Sequence, residues 1–356
     1  MSVIDLRSDT VTQPTEAMLE RMRGAVLGDD SRDGDPTVRA LEALAAERTG
    51  KADALFVVSG TMGNLVALLA HGQPGGAVLL EANAHILRSE LGGIGGIAGL
   101  FHRAIPGEGG AMALDRLEEA ISPGLAPQRL GTSLICLETT HNDAGGAVLP
   151  LDHMAAVHAL AQRHGVPVHV DGARLFNAAV KLGVPAARLA AHADSVTFCV
   201  SKGLSAPIGS VLVGSHGFVE RARAFRRMIG GNLRQAGGIA AAGIVALETM
   251  VDRLAQDHAA ARRLADGLQR IDPRLVVADR VETNIVQVDT SFSGRSAAEW
   301  IAALAPEGVR AGAWSPSLLR LVTHRHIDDA AVERSIAAFA TVAARFADSR
   351  PRQVAE

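Results

Sequence analysis

Val166-Pro167-Val168-His169-Val170-Asp171-Gly172-Ala173-Arg174 is an apolar run closed by a carboxylate, and Ser195-Val196-Thr197-Phe198-Cys199-Val200-Ser201-Lys202-Gly203-Leu204 is a second run closed by an amine. Both read as short buried strands with Asp171 and Lys202 at their C-terminal tips. In an open parallel α/β sheet that edge is where ligands bind. A Schiff-base lysine and an aspartate facing a pyridinium nitrogen are what a protein supplies to pyridoxal 5'-phosphate (PLP): the carboxylate keeps the ring nitrogen protonated, so the ring accepts electrons from a carbanion. A lone strand-end Asp or Lys is more often a solvated loop residue, so the surrounding pattern has to decide.

Outward from these two runs, about residues 50 to 215 alternate short apolar runs with amphipathic helical stretches, the pattern of βαβ units and a mainly parallel sheet between helices. Strands are expected at Ala54–Val58, Ala77–Leu80, Ser133–Leu137, Val166–Val170, Ser195–Val200 and Ser210–Val213. Met154–His164 reads as a helix with Gly165 as its stop. From Gln235 to about Leu268 the chain is Ala-rich without proline and reads as one long connecting helix. It leads into a small α+β domain with strands at Thr283–Val288 and Leu318–Val322. At 356 residues the chain is long for one core, and the boundaries expected are 1–245 for a large cofactor-binding domain and 246–356 for a small C-terminal one.

Composition narrows the class. With 48% apolar residues, 37 Gly and 21% charged residues the chain is an ordinary globular one, and a net charge of −3 gives no reason to expect nucleic acid or an anionic membrane as partner. Met1–Arg7 has no apolar signal core, and no uninterrupted apolar span is long enough for a bilayer, which reads as cytoplasmic. Cys136 and Cys199 lie inside strand-like runs and read as small core hydrophobes, not as a disulfide or a thiolate metal site. No metal is expected, since there is no His-Glu-x-x-His helix and His324 with His326 is weak evidence. Gly93–Ala98 fits a loose dinucleotide fingerprint but follows no strand, and Gly50-Lys51 is followed by Ala52 and so fails as a phosphate loop. There is no tyrosine, so none can stack on or protonate a cofactor.

Ser59-Gly60-Thr61-Met62-Gly63-Asn64 follows a strand and opens an apolar helix, whose first N–H groups with the Ser59 and Thr61 hydroxyls make a cradle for a phosphate. An ordinary Ser/Thr cap is the plainer reading of the same residues. His85, beyond the next strand, offers a flat imidazole for stacking on a ring. Arg174 suits a bidentate grip on a substrate carboxylate, with Arg320 closing on the same group. Arg234, in a Gly-rich turn, suits a phosphate reached across a subunit boundary.

The stretches Asp5–Thr12, Gly28–Asp30, Asp35–Val38, Ser59–Met62, Leu137-Glu138, Thr140–Asn142, His169–Asn177, Ser201–Leu204, Ala206–Ser210 and Arg320–His324 resemble, in order, the threonine aldolase family of fold-type I PLP enzymes, grouped with the aromatic amino acid β-eliminating lyases. The resemblance implies a homotetramer, or at least a dimer, with sites at subunit interfaces. It implies that Lys202 forms the internal aldimine, Asp171 faces the ring nitrogen, His85 stacks on the ring and Gly60 with Thr61 hold the phosphate. Ser8, Arg174 and Arg320 would fix the amino-acid carboxylate, and Arg234 would come from a neighbour. The implied reaction is retro-aldol cleavage of an L-3-hydroxy-amino acid, such as threonine or allo-threonine, to glycine and an aldehyde.

The chain also departs from the family. Gln128 stands where the family has a histidine that touches the substrate hydroxyl; glutamine hydrogen-bonds but takes no proton at neutral pH, which leaves His85, a water or another group as the base. Ser31-Arg32-Asp33-Gly34, Leu87-Arg88-Ser89 and Thr139 replace residues that line the family's substrate mouth, and point to a changed β-substituent, a more polar one given Arg32 and Arg88, or to a changed stereochemical preference. β-Elimination, racemisation and transaldol transfer share the same lysine, aspartate and cradle and differ in which bond stands perpendicular to the ring. A catalytically silent binding relative is the non-enzyme alternative.

Overall fold

The computed structural model describes residues 3–122 and 131–348, so Gln128 lies outside the described residues. The chain divides into two compact units, Gln13–Leu254 and the described parts of Met1–Thr12 with Ala255–Glu356. The sequence reading cut instead after residue 245 and kept the N-terminal segment with the larger domain.

The first unit is built on a seven-stranded sheet: β1 (Asp53–Val57), β2 (Ala77–Glu81), β3 (Phe101–Ile105), β4 (Thr132–Glu138), β5 (Val168–Asp171), β6 (Ser195–Cys199) and β7 (Ser210–Gly214), in the order β1-β7-β6-β5-β4-β2-β3. β2 to β6 run parallel, and β7 is antiparallel to both of its neighbours. The reversal has a local cause. A parallel return needs a crossover of about a dozen residues or more, and only the short loop 200–209, which carries Lys202, separates β6 from β7. The central strands are buried on both faces, which is why they read as continuous apolar runs. β3 did not, because it is an edge strand: four of its five residues, Phe101-His102-Arg103-Ala104, are exposed.

Helices α1 (Pro36–Thr49), α2 (Gly60–His71), α3 (Leu151–Arg163), α4 (Leu175–Leu182) and α5 (His216–Met228) belong to this unit. α3 ends where expected, with Gly165 at φ 65°. α2 lies so close to the sheet that a Cβ at Gly63 would stand 2.6 Å from Thr197 Cγ2 of β6.

The long helix expected over 235–268 is interrupted. The chain forms α6 (Gly237–Val245), a π-helical turn at Ala246–Met250, a further turn at 251–253, and only then α7 (Leu254–Ile271). Ala240 to Leu254 pack in the core of the first unit, whereas Ala260, Leu264 and Leu268 pack in that of the second. One continuous α-helix would keep a single apolar stripe in phase, and the extra residue of a π-turn shifts it.

In the second unit β8 (Ile285–Asp289), β9 (Gly312–Ser315) and β10 (Leu318–Val322) form an antiparallel sheet in the order β8-β10-β9. Trp300 packs against Phe339 at 5.8 Å between ring centroids, within a core that also takes Ile4 and Leu6. Ile4-Asp5 pairs in parallel with Val309-Arg310, which explains why the N-terminal segment belongs here. Cys136 and Cys199 are buried and unbridged, and no helix among the described residues is long and apolar enough to cross a membrane.

The Gly63 contact gives a direct check. Gly63→Ala overpacks the α2–β6 seam and is expected to cost about 1–3 kcal/mol, read as an earlier denaturant midpoint with an unchanged slope; an unaltered midpoint would mean that the seam relaxes freely.

Candidate active site

The C-terminal tips of the parallel strands deliver the functional side chains to one edge of the sheet. β1 leads into Ser59, β2 into His85, β4 ends at Glu138, β5 at Asp171, and β6 runs into Ser201-Lys202. Ser59, Gly60, Thr61, His85, Asp171 and Lys202 line a single cavity of about 250 Å³, together with Asn64, Glu90 and Cys199.

Ser59 is the N-cap of α2: its Oγ accepts from Met62 N at 3.1 Å. The plainer reading of this serine therefore holds, and its hydroxyl proton still remains to donate. A Cβ at Gly60 would sit 3.0 Å from Cys199 Sγ, a tight contact that glycine avoids. Helix N–H groups with the positive end of the α2 dipole are a fitting seat for a phosphate.

Asp171 is buried at the base. Its Oδ1 accepts from Ala173 N at 3.1 Å and its Oδ2 from Asn64 Nδ2 at 3.0 Å. The same Asn64 nitrogen lies 2.8 Å from Glu90 Oε1, and Glu90 Oε1 is 3.0 Å from His85 Nδ1. Burial would push the His85 pKa down, but the hydrogen bond that it donates to Glu90 and the charges of Asp171, Glu90 and Glu138 outweigh it and raise the value. Burial, reinforced by the charge of Asp171, raises Glu90 despite its bonds to His85 and Asn64. Taken alone, His85, Glu90 and Asp171 present atoms within 4.8 Å of one another, as a metal site would. The carboxylate oxygens nearest the ring already accept from Asn64, and the amine, carboxylate and helix terminus together match PLP better than a cation.

His85 is held through its backbone. Its N–H donates to Glu138 Oε2 at 2.6 Å, while Asn142 N donates to Glu138 Oε1 at 2.8 Å. Behind Glu138, His141 Nε2 lies 3.1 Å from Glu81 Oε2 and 3.7 Å from Glu138 Oε2.

The residues expected from sequence fall into three groups. Lys202, Asp171, His85, Ser59, Gly60 and Thr61 converge on the cavity. Arg174 is buried three residues beyond Asp171 as the N-cap of α4, and Arg234 binds the Ser31 hydroxyl in the loop that follows Asp29. Ser8 and Arg320 belong to the second unit, where Ser8 caps a short 3-10 turn and the Arg320 guanidinium lies 4.7 Å over Trp314. Asn64 and Glu90 were missed. Asn64 falls one turn into an apolar helix behind Gly60, the only sign that it faces the sheet; Glu90, in a polar stretch, carried no sign of its burial.

The chain is similar to known proteins. The model of the beta-eliminating lyase family matches residues 5–291. The chain is 43% identical over 343 residues to low-specificity L-threonine aldolase 1 of Arabidopsis thaliana, covering 95% of this chain and 96% of that protein. Its fold is similar to that of Leishmania major threonine aldolase, with a TM-score of 0.79 at 18% identity over 96% of this chain and 99% of the other. It is also similar to SPT solved with PLP as its internal aldimine, with a TM-score of 0.76 at 19% identity over 97% and 88%.

The His141–Glu81 pair yields a pH dependence. For His141, burial lowers the pKa, but Glu81 and Glu138 raise it above 6.5 overall. For Glu81, burial raises it, but His141 and Asn83 lower it below 4.5 overall. The raised histidine contributes fully below pH 6.5 and loses that contribution as pH climbs through its folded value. The lowered glutamate contributes fully above pH 4.5 and loses that contribution as pH falls through its own. Glu81→Gln should therefore destabilise more at about pH 5.5 than at about pH 8.5 in urea unfolding; equal losses at both would refute the pairing.

Proposed function

We propose that this chain, which belongs to the beta-eliminating lyase family, binds PLP and cleaves the Cα–Cβ bond of an L-3-hydroxy-amino acid, threonine or allo-threonine or a close relative, releasing glycine and an aldehyde. The observation that carries the reading is the convergence of Lys202, Asp171 and the α2 N-terminus on one cavity. The aldolase named among its relatives, 43% identical over nearly the whole chain, sets the bond.

When bound, PLP supplies an electron sink for the carbanion left at Cα. Lys202 would hold the cofactor through its side-chain amine. Asp171 offers its carboxylate to the ring nitrogen, the N–H groups of Gly60 and Thr61 and the Ser59 hydroxyl take the phosphate, and His85 covers the ring face. Arg174 would grip the substrate carboxylate, the role that the family resemblance also gives Ser8 and Arg320.

Cleavage also needs the β-hydroxyl proton removed. Glu90 occupies His85 Nδ1, and Nε2 has no protein partner among the described residues. A histidine backed by a carboxylate on one nitrogen is a base at the other, so His85 takes the role for which Gln128 is chemically unfit. Arg32, 82% exposed, stands where the family has Tyr, and Arg88, bound to Asn83 Oδ1 at 2.7 Å, lies where it has a more aromatic stretch, which supports a polar β-substituent. A cytoplasmic homotetramer, a dimer of dimers in which Arg234 serves a neighbour's phosphate, completes the reading.

Lys202→Ala is expected to abolish the visible absorbance of the PLP-loaded protein and to lower kcat more than about a thousandfold, while the wild type releases glycine and an aldehyde from a panel of L-3-hydroxy-amino acids. A keto acid with ammonia, or an inverted amino acid, in place of glycine would move the reaction to β-elimination or racemisation. Glu90→Gln should lower kcat about a hundredfold or more, the scale of losing general-base assistance, with KM little changed. Unchanged kcat would remove His85 as the base.

A further inference from the structure

Behind Asp171 a line of buried polar groups runs away from the cavity to the far end of α2. Asn64 Nδ2 meets Asp171 Oδ2 at 3.0 Å, Asn64 Oδ1 meets His169 Nε2 at 3.1 Å, His169 Nδ1 meets Ser195 Oγ at 2.9 Å, and Ser195 Oγ meets His71 Nε2 at 2.8 Å. α2 supplies Asn64 and His71, two turns apart on one face; β5 supplies His169 and Asp171, which alternation places on one side of the strand; Ser195 is the register partner of His169 on β6.

Its proton positions follow from one residue. Asn64 places its nitrogen between two carboxylate oxygens, those of Asp171 and Glu90, where an amide oxygen would be repelled. Its Oδ1 therefore faces His169 and requires a proton on His169 Nε2. His169 is fully buried and held neutral, its pKa pushed down to about 3 by burial and by His71. Its Nδ1 is then an acceptor, and the Ser195 hydroxyl donates to it. The Ser195 oxygen is left to accept from His71 Nε2–H. His71 is neutral too, lowered to about 4 by burial, with its ring stacked on Phe218 at 4.3 Å. Each member donates in the same sense, toward Asp171, and aligned bonds of this kind reinforce one another in a low-dielectric interior.

We infer that Asn64, His169, Ser195 and His71 are positioning residues that act through Asp171: a one-directional hydrogen-bond chain that keeps its carboxylate aimed as an acceptor at the cofactor's ring nitrogen. The inference rests on the reading of Asp171 as partner of that nitrogen. Ala173 N and Asn64 Nδ2 each use one lone pair, one on each oxygen. The carboxylate cannot turn without breaking both bonds. Asn64 in turn cannot turn without breaking its bond to His169.

Two substitutions at one position separate positioning from packing. Gln reaches as far as His Nε2 and can still donate to Asn64; Asn reaches only as far as Nδ1 and keeps Ser195 alone. With PLP added to the full chain, His169→Asn should weaken cofactor binding about tenfold and displace the pH midpoint of the visible band by about one unit, the scale of one hydrogen bond to a charged group. His169→Gln should stay within about twofold of wild type. The two variants, each lacking one bond, should melt at similar temperatures without cofactor. Equal spectra and affinities in the Asn and Gln variants, whether altered or not, would overturn the chain. Asp171→Asn tests the underlying reading: if it leaves band and affinity untouched, that reading fails, whereas a changed Asp171→Asn beside an unchanged His169→Asn sinks the chain alone. Should both His169 variants fail to fold, Ser195→Ala, which lets the imidazole proton move to the freed Nδ1 as a glutamine cannot and so weakens the bond to Asn64, is expected to displace the midpoint in the same direction, and no displacement would refute the inference.

Discussion

Three carboxylates, Glu90, Glu138 and Asp171, are buried beside one another at the sheet edge, and everything around them is arranged to make that tolerable. Burying one ionised acid is costly unless donors surround it, and burying several together adds their repulsion. The donors here are mostly backbone or short side chains: Ala173 N on Asp171, His85 N and Asn142 N on Glu138, and the Asn64 amide shared by Asp171 and Glu90. These groups lie within or next to strand and helix ends, so their positions are set by the sheet. The acids hold the loops after β2 and β4 in place, and the cavity inherits their rigidity.

The cost of that arrangement also explains its chemistry. An acid-rich pocket wants cations and proton donors, and a protonated ring nitrogen, an imidazole and a lysine amine are such groups. On the proposed reading the start of α2 would take the phosphate, which the acids would repel. A single helix would then serve both signs of charge: its N-terminal N–H groups suit an anion, and its Asn64, one turn in, donates to the acids.

Much of this was legible in the chain. β1, β2 and β4 to β7 announced themselves as apolar runs because strands buried on both faces admit little else, and Asp171 and Lys202 stood out because a charge closing such a run is conspicuous. β3 was not legible, since Phe101-His102-Arg103-Ala104 is solvated and lacks the pattern that burial imposes. The break at Ala246–Met250 was hidden for the opposite reason: its residues all favour helix, and only the change of core from one stretch to the next requires the π-turn. Asn64, Glu90 and the His169–Ser195–His71 line escaped because each residue is unremarkable alone, and their significance arises from juxtapositions made by the fold, those of Asn64 with Asp171 and of His71 with Ser195 spanning more than a hundred residues. Gly60 and Gly63 were legible as part of a helix start but not as clearances, one against Cys199 and the other against Thr197.

The pairing of Ile4-Asp5 with Val309-Arg310 places the first described strand in the core formed by the last third of the chain. During synthesis Leu6 leaves the ribosome long before the residues that will bury it exist, while residues 13–254 can already collapse around their own sheet. Contacts of such separation close late and slowly. The N-terminal segment must therefore stay solvated throughout translation of the large unit, and its Asp5, Arg7 and Asp9 give it the polarity to wait without aggregating.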